Sequence, residues 1–248
     1  MKALMLACTL GIVATAEAQV NIELYRGRPG VTGKVNVYSG GATGNSEFFD
    51  GGATANVTYT TETYSVLFVG RGLLGFASGE RFSNEGLGHL RYTWIEPRRF
   101  QLEIFAQSDY AAPRQLDSRV LFGSGLRTVI RSQEAFTLSI GNSFMWEYER
   151  IDVPAFARHP DGSSVIRSSN YVNLQAARGD ATARFTGYVQ FDVREPSDTR
   201  VLGDFEVSTT IIGPLEQTTS LRYRLDTEPP DGVEKNDLHI GASLGLNF

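Results

Sequence analysis

"DLHIGASLGLNF", Asp237 to Phe248, alternates without a break. Leu238, Ile240, Ala242, Leu244, Leu246 and Phe248 are apolar, with His239, Gly241, Ser243, Gly245 and Asn247 between them. A period of two over this length predicts a β-strand with one face in an apolar medium and the other in a polar one. An unpaired strand at an apolar boundary would leave its N–H and C=O groups without partners. The stretch therefore calls for neighbours on both sides, as in a closed sheet.

The same period runs upstream. It predicts twelve strands, near 31–40, 50–60, 63–76, 86–95, 98–108, 115–131, 134–150, 165–178, 181–193, 199–211, 215–226 and 237–248. Most exceed the roughly five or six residues common in soluble sheets and suit the roughly nine to eleven of a tilted strand crossing a bilayer. Connections after odd strands read as longer or turn-rich, such as "GGATGNSEFF", "ASGERFSNE", "DVPAFARHPDGSS" and "TEPPDGVEKN". Those after even strands read as tight: "TE", "EP", "SQ", "RGD" and "GPLE". Sorting of long and short ends predicts an up-and-down meander whose two rims face different surroundings, as in outer-membrane barrels. Tyr59, Tyr92 and Trp94 fall beside short turns, and Trp146 and Tyr148 near a long loop, where aromatic girdles are expected. A soluble eight-stranded barrel needs less chain than this, and a wider soluble barrel would have to fill its interior.

The first residues are of another kind. Met1-Lys2 is positive, Ala3 to Ala14 is mostly apolar, and Ala16-Glu17-Ala18 has the small residues of a cleavage site, so residues 1–18 read as a secretory signal peptide. Cys8, the single cysteine, lies inside it. No later window is apolar for long enough to be a membrane-spanning helix. The net charge of −5 argues against a nucleic-acid partner held by a global positive field. After the signal only Lys34 and Lys235 accompany twenty arginines, a bias that suits fixed, forked pairs with carboxylates. The expected architecture is all-β: a closed antiparallel up-and-down transmembrane β-barrel of about 12 strands over residues 31–248, after a periplasmic lead-in at 19–30.

Several stretches carry a likeness. "GHLRYTW", "QLEIFAQSDY" followed by "LDSRVLFGSGLRTVI", "MWEYER" and "TTSLRYRLDTEPPDGVEKND" resemble the YdiY-type family, uncharacterised bacterial proteins labelled salt-induced outer-membrane proteins. The resemblance covers residues 85 to 248. It implies an outer-membrane β-barrel in a Gram-negative cell and supplies no catalytic residues or cofactor. The terminal aromatic Phe248 resembles the sorting signal read by the outer-membrane barrel-assembly machinery. The expected partners are that machinery during biogenesis, outer-membrane lipid and lipopolysaccharide, and a small solute of unknown identity.

The chemistry-bearing motifs are weak. Gly70-Arg71-Gly72-Leu73-Leu74-Gly75 matches the dinucleotide pattern, but it falls within a strand and no helix follows to meet a pyrophosphate. His89, His159 and His239 show no metal-ligand spacing. "GHLRYTW" has leucine and arginine where an outer-membrane phospholipase would carry its nucleophile, leaving a hydrolase a distant third reading. The informative set is charged and inward by parity: Arg91, Glu103, Arg119, Arg127, Glu147, Arg184, Asp192, Asp204, Glu206, Arg222, Arg224 and Asp226. These residues either line a narrow wet path or crosslink the walls of a closed lumen. The leading expectation is a non-enzymatic barrel acting as a narrow passive channel for small polar or charged solutes. The alternative is a structural or stress-related envelope barrel.

Overall fold

The computed structural model describes residues 29–43, 47–96, 98–133, 135–154, 156–157 and 159–248. The expected signal peptide (1–18) and the lead-in up to residue 28 lie outside them. Twelve strands form the fold: β1 (Gly30–Ala42), β2 (Phe48–Thr60), β3 (Tyr64–Ala77), β4 (Glu80–Trp94), β5 (Phe100–Ala111), β6 (Leu116–Gln133), β7 (Phe136–Ile151), β8 (Gly162–Arg178), β9 (Ala181–Asp192), β10 (Thr199–Ile212), β11 (Leu215–Asp226) and β12 (Asn236–Asn247). A 3-10 turn, Ala112–Arg114, follows β5. Each strand pairs antiparallel with its sequence neighbours, and β1 pairs with β12 to close the barrel.

Alternation decides which side chains go where. Along β5, Gln101, Glu103, Phe105, Gln107 and Asp109 are buried, while Phe100, Leu102, Ile104 and Tyr110 are exposed. Large apolar side chains are exposed along every strand, and buried polar side chains outnumber buried apolar ones. This inversion of a soluble protein is the surface that a membrane-spanning barrel offers to lipid. Near one end Tyr59, Tyr64 and Tyr92 touch in sequence, at 6.1 Å and 5.6 Å between ring centroids. Towards the other, Trp146 stacks on Tyr148 at 6.4 Å. Phe144, mid-strand in β7, is 64% exposed. Phe144→Arg is expected to cost about 2–4 kcal/mol, read as a shifted urea midpoint for the barrel refolded in vesicles.

Loop lengths correct the expected sorting. The predicted long connection "ASGERFSNE" is a two-residue hairpin, because Ser78 (φ 50°) and Gly79 (φ 81°) both take the positive φ of a type I′ turn. Glu80 to Glu85 therefore belong to β4, with a bulge opposite Gly75 and Phe76. The β4–β5 connection is longer than predicted, spanning 95–99. The long loops gather on one half of the rim, at 152–161, 193–198 and 227–235.

The closing seam is short. Lys34, Val35, Asn36 and Val37 pair with Asn247, Leu246, Gly245 and Leu244. Gly33 and Phe248 exchange backbone hydrogen bonds of 2.8 Å and 2.9 Å just beyond. A Cβ on Gly33 would stand 2.3 Å from the Phe248 ring, so only glycine admits the aromatic there. Beyond Val37 the seam ladder stops. Among the described residues, Tyr38–Ala42 pair only with β2, and Asn236–Ser243 only with β11.

Candidate functional site

The barrel interior is the candidate site. All twelve charged residues expected to face inward lie on the buried parity. Arg91, Glu103, Arg119, Arg127, Glu147, Asp192, Asp204, Arg224 and Asp226 are buried, and Arg184, Glu206 and Arg222 half-buried. Most of them fall into three tiers along the barrel axis, while Asp192 lies opposite Arg167 on the β8–β9 ladder and Glu206 opposite Arg184 on the β9–β10 ladder.

The tier beneath the long loops is a network of arginines and carboxylates. Arg119 of β6 grips Asp109 of β5 through two contacts, of 2.5 Å and 3.2 Å. Glu147 of β7 accepts from Arg167 of β8 at 2.9 Å and from Arg200 of β10 at 2.8 Å. Arg200 also reaches Asp226 at 3.1 Å and Glu149 at 3.2 Å. Arg167 forks onto Asp198 in the β9–β10 turn, at 3.0 Å and 2.6 Å. Arg224 donates to Asp226 at 3.1 Å and stands 3.9 Å from Asp237 of β12. The guanidinium fork allows one arginine to serve carboxylates on different strands, so the network ties strands that are not neighbours. Asp109, Glu149, Arg167, Asp198 and Arg200 belong to it although the sequence analysis had not singled them out.

Arg114, in the 3-10 turn, stands 3.7 Å from Asp109. Burial, and after it the nearby Arg224 and Arg119 guanidiniums, pull it well below its ordinary pKa. It borders a cavity of about 40 Å³, together with Arg224, His159 and the two prolines of the β11–β12 loop. That loop folds over the tier and accepts a hydrogen bond from Gln115 Nε2 at Asp231 O, 3.2 Å.

The middle tier is partly apolar. Leu67 and Val69 of β3 and Leu87 of β4 form one buried cluster with Tyr171 of β8, Tyr188 of β9 and Leu202 of β10. These strands occupy opposite sides of the ring, so the cluster reaches across the lumen. Tyr171 fits against β7 because Gly141 has no side chain, a Cβ there coming within 2.0 Å of the ring. Its hydroxyl meets Glu103 Oε2 at 3.3 Å, and Arg91 donates to the same oxygen at 2.7 Å. Arg91 also lies 4.5 Å over the Phe105 ring, which stacks on His89. His89 and Gln107 share a 3.0 Å hydrogen bond.

Partway along β10 and β11, Arg222 pairs with Asp204 at 3.2 Å, and towards the short-turn rim Lys34 pairs with Glu216 and Arg184 donates to Gln175 at 3.1 Å. A cavity of about 790 Å³ opens here. It is lined by Thr60, Ser65, Ile95, Arg98, Arg99, Gln101, Arg127, Val129, Ile130, Ser132, Thr137 and Gln175. Arg127 donates to Gln101 Oε1 at 2.9 Å at its inner end.

Other candidate motifs have ordinary places. Gly70 to Gly75 lies wholly within β3, and β4 follows through a two-residue turn, so no helix offers its N-terminus to a nucleotide. His89 and His239 are on inward positions, and His159 is in the β7–β8 loop. Among the described residues no group of three or more His, Cys, Asp and Glu is placed to hold a metal.

The fold has solved counterparts. The NanC porin superposes with a TM-score of 0.52 at 8% identity, covering 88% of this chain and 98% of that one. The KdgM porin follows at 0.46 and 8%, with 88% and 98% covered. The translocator domain of the autotransporter NalP from Neisseria meningitidis gives 0.47 and 11%, with 91% and 90% covered. At such identities the likeness to the NanC porin is one of fold. A comparison with curated proteins finds no match. In sequence, residues 39–248 match the family described as "Protein of unknown function, DUF481".

Proposed function

The chain belongs to the family of proteins of unknown function DUF481, and on that premise we propose that it is a non-enzymatic outer-membrane barrel serving as a narrow passive channel for small polar or charged solutes. One observation carries the reading. The interior is lined by charged and polar side chains over most of its height, and it opens at the short-turn rim into a cavity of about 790 Å³. Buried ion pairs are poor stabilisers compared with apolar packing, so a purely structural barrel gains little from filling itself with them. The arginine network above the cavity sets the bore, and paired charges of both signs favour small solutes over bulky ones.

The rest of the reading concerns placement. The chain is exported, loses residues 1–18, and inserts among outer-membrane lipid and lipopolysaccharide. Phe248 addresses it to the barrel-assembly machinery, and its expression rises with salt as the YdiY-type resemblance implies. Heat-modifiable migration on a gel tests the barrel in detergent, and fractionation of envelopes tests the location.

Single-channel recording tests conduction. Small, ion-selective steps are expected, and the Arg222→Glu/Arg224→Glu double variant should move selectivity towards cations. A specific observation favours a second reading, the closed structural barrel: the apolar cluster of Leu67, Val69, Leu87, Tyr171, Tyr188 and Leu202 spans the lumen. Silence across several salts and voltages would establish that reading in place of the first.

A further inference from the structure

The described lining of the cavity at the short-turn rim differs in charge from the rest of the lumen. Among the described lining residues the charged side chains are Arg98, Arg99 and Arg127, with no carboxylate among them. Elsewhere in the interior, arginine and carboxylate alternate within hydrogen-bond reach: Arg91 with Glu103, Arg119 with Asp109, Arg200 with Glu147, Arg222 with Asp204. A fourth cation, Arg184, stands just behind the lining, held by its hydrogen bond to Gln175 Oε1. Of the described carboxylates towards this rim, Glu62, Glu96 and Asp180 sit in or beside the turns, Glu206 lies opposite Arg184 on the β9–β10 ladder and Glu216 pairs with Lys34; none of them lines the cavity.

The neutral part of the lining is also specific. Thr60, Ser65, Ser132 and Thr137 bring hydroxyls, Gln101 and Gln175 bring amides, and Ile95, Val129 and Ile130 add apolar surface. Hydroxyls and amides both donate and accept, so they match a ligand rich in hydroxyl groups. The guanidiniums match a planar or tetrahedral oxyanion through paired N–H donors, which a spherical halide cannot use in the same way. The volume exceeds what a single inorganic ion requires and falls within the range of small-molecule sites.

We propose that this cavity is a binding vestibule for a small, hydroxylated organic oxyanion, carrying a carboxylate or phosphate, that enters from the short-turn side. Arg98 and Arg99 capture the anion at the mouth and Arg127 receives it at the inner end. The inference rests on reading the lumen as a solute path, and it gives that path a polarity: oxyanions concentrate at one rim before they meet the arginine network.

The test is equilibrium binding to the full-length barrel refolded in detergent, by titration calorimetry, at fixed ionic strength. Glucose 6-phosphate and gluconate are the anionic probes, and glucose is the neutral control. Saturable binding is expected for both anions and none for glucose. The Arg98→Gln/Arg99→Gln variant alters only exposed turn residues, so its barrel should fold as the parent does, checked by heat-modifiable migration. It should weaken both anions about tenfold or more, the loss of two charge-assisted contacts. Arg98→Lys/Arg99→Lys should restore part of that loss, because charge returns without the fork. Equal binding of glucose and glucose 6-phosphate, or an undiminished affinity in the double glutamine variant, would overturn the proposal. So would the absence of saturable binding of either anion up to about 10 mM, weaker than roughly millimolar contacts sustain. Binding needs no conduction. An electrically silent barrel that binds both anions leaves the vestibule standing and rejects the channel, whereas a conducting barrel indifferent to them does the reverse.

Discussion

Gly33→Leu, and separately deletion of Phe248, are each expected to lower the folded, heat-modifiable fraction of the refolded barrel by about tenfold or more. The β1–β12 seam has only four ladder pairs, extended by the Gly33–Phe248 exchange of hydrogen bonds. Any side chain at position 33 starts with a Cβ 2.3 Å from the Phe248 ring and 2.8 Å from Asn56 O, so ring and strand cannot both keep their places. Losing two backbone hydrogen bonds forfeits about 1–3 kcal/mol, and the ring of Phe248, 64% exposed, adds only a fraction of what a fully buried aromatic would. A factor of ten requires about 1.4 kcal/mol, within the range of the hydrogen bonds alone. Gly203→Ala is the control, because a Cβ there meets nothing within 4 Å. If Gly33→Leu folded as completely as Gly203→Ala, the seam would not depend on the aromatic clasp.

Glu147→Gln should be among the most damaging single changes inside the barrel. Glu147 is the shared acceptor of Arg167 and Arg200, and its exposure is 1%. Removing one partner from a buried ion network leaves an uncompensated charge and costs about 3–5 kcal/mol. The Arg150–Asp117 pair supplies the contrast, since its separation is 3.9 Å and both side chains are more than half exposed. Asp117→Asn should cost about 1 kcal/mol or less. Urea unfolding of both variants in vesicles gives the comparison. Equal midpoints would mean that the interior is wet enough to screen the network.

The barrel was legible because its strands alternate. β5, β7 and β12 alternate cleanly, and the charged residues expected inward from parity are buried or half-buried. The periodicity fails where both faces carry the same chemistry. Val66 to Val69 in β3 are all apolar, so nothing in the period marked Leu67 and Val69 as part of a cluster inside the lumen. β8 is polar on both faces around Arg167, with Ser168, Ser169 and Asn170 in succession, which hid that arginine. Asp198 comes from a turn and meets Arg167 across 31 positions, and Arg200 meets Glu147 across 53, separations that no local pattern encodes. The Ser78-Gly79 hairpin was hidden by its charged flanks. Its φ angles, rather than its composition, make it tight.

The interrupted seam gives the molecule a front and a back. Where β1 loses its ladder to β12, its outward residues change from Val35 and Val37 to Ser39 and Gly41, while β12 still presents Leu238 and Ile240. Backbone groups without strand partners are costly in hydrocarbon, and polar groups at that depth draw water and lipid headgroups towards themselves. In a bilayer the lipid collar is then of uneven height, full around most of the circumference and thinned along one vertical line. Thickness mismatch costs fractions of a kcal/mol per Å and is relieved when thinned patches merge. The barrel thus has a preferred bearing in the membrane plane, set by backbone hydrogen bonding and independent of its loops.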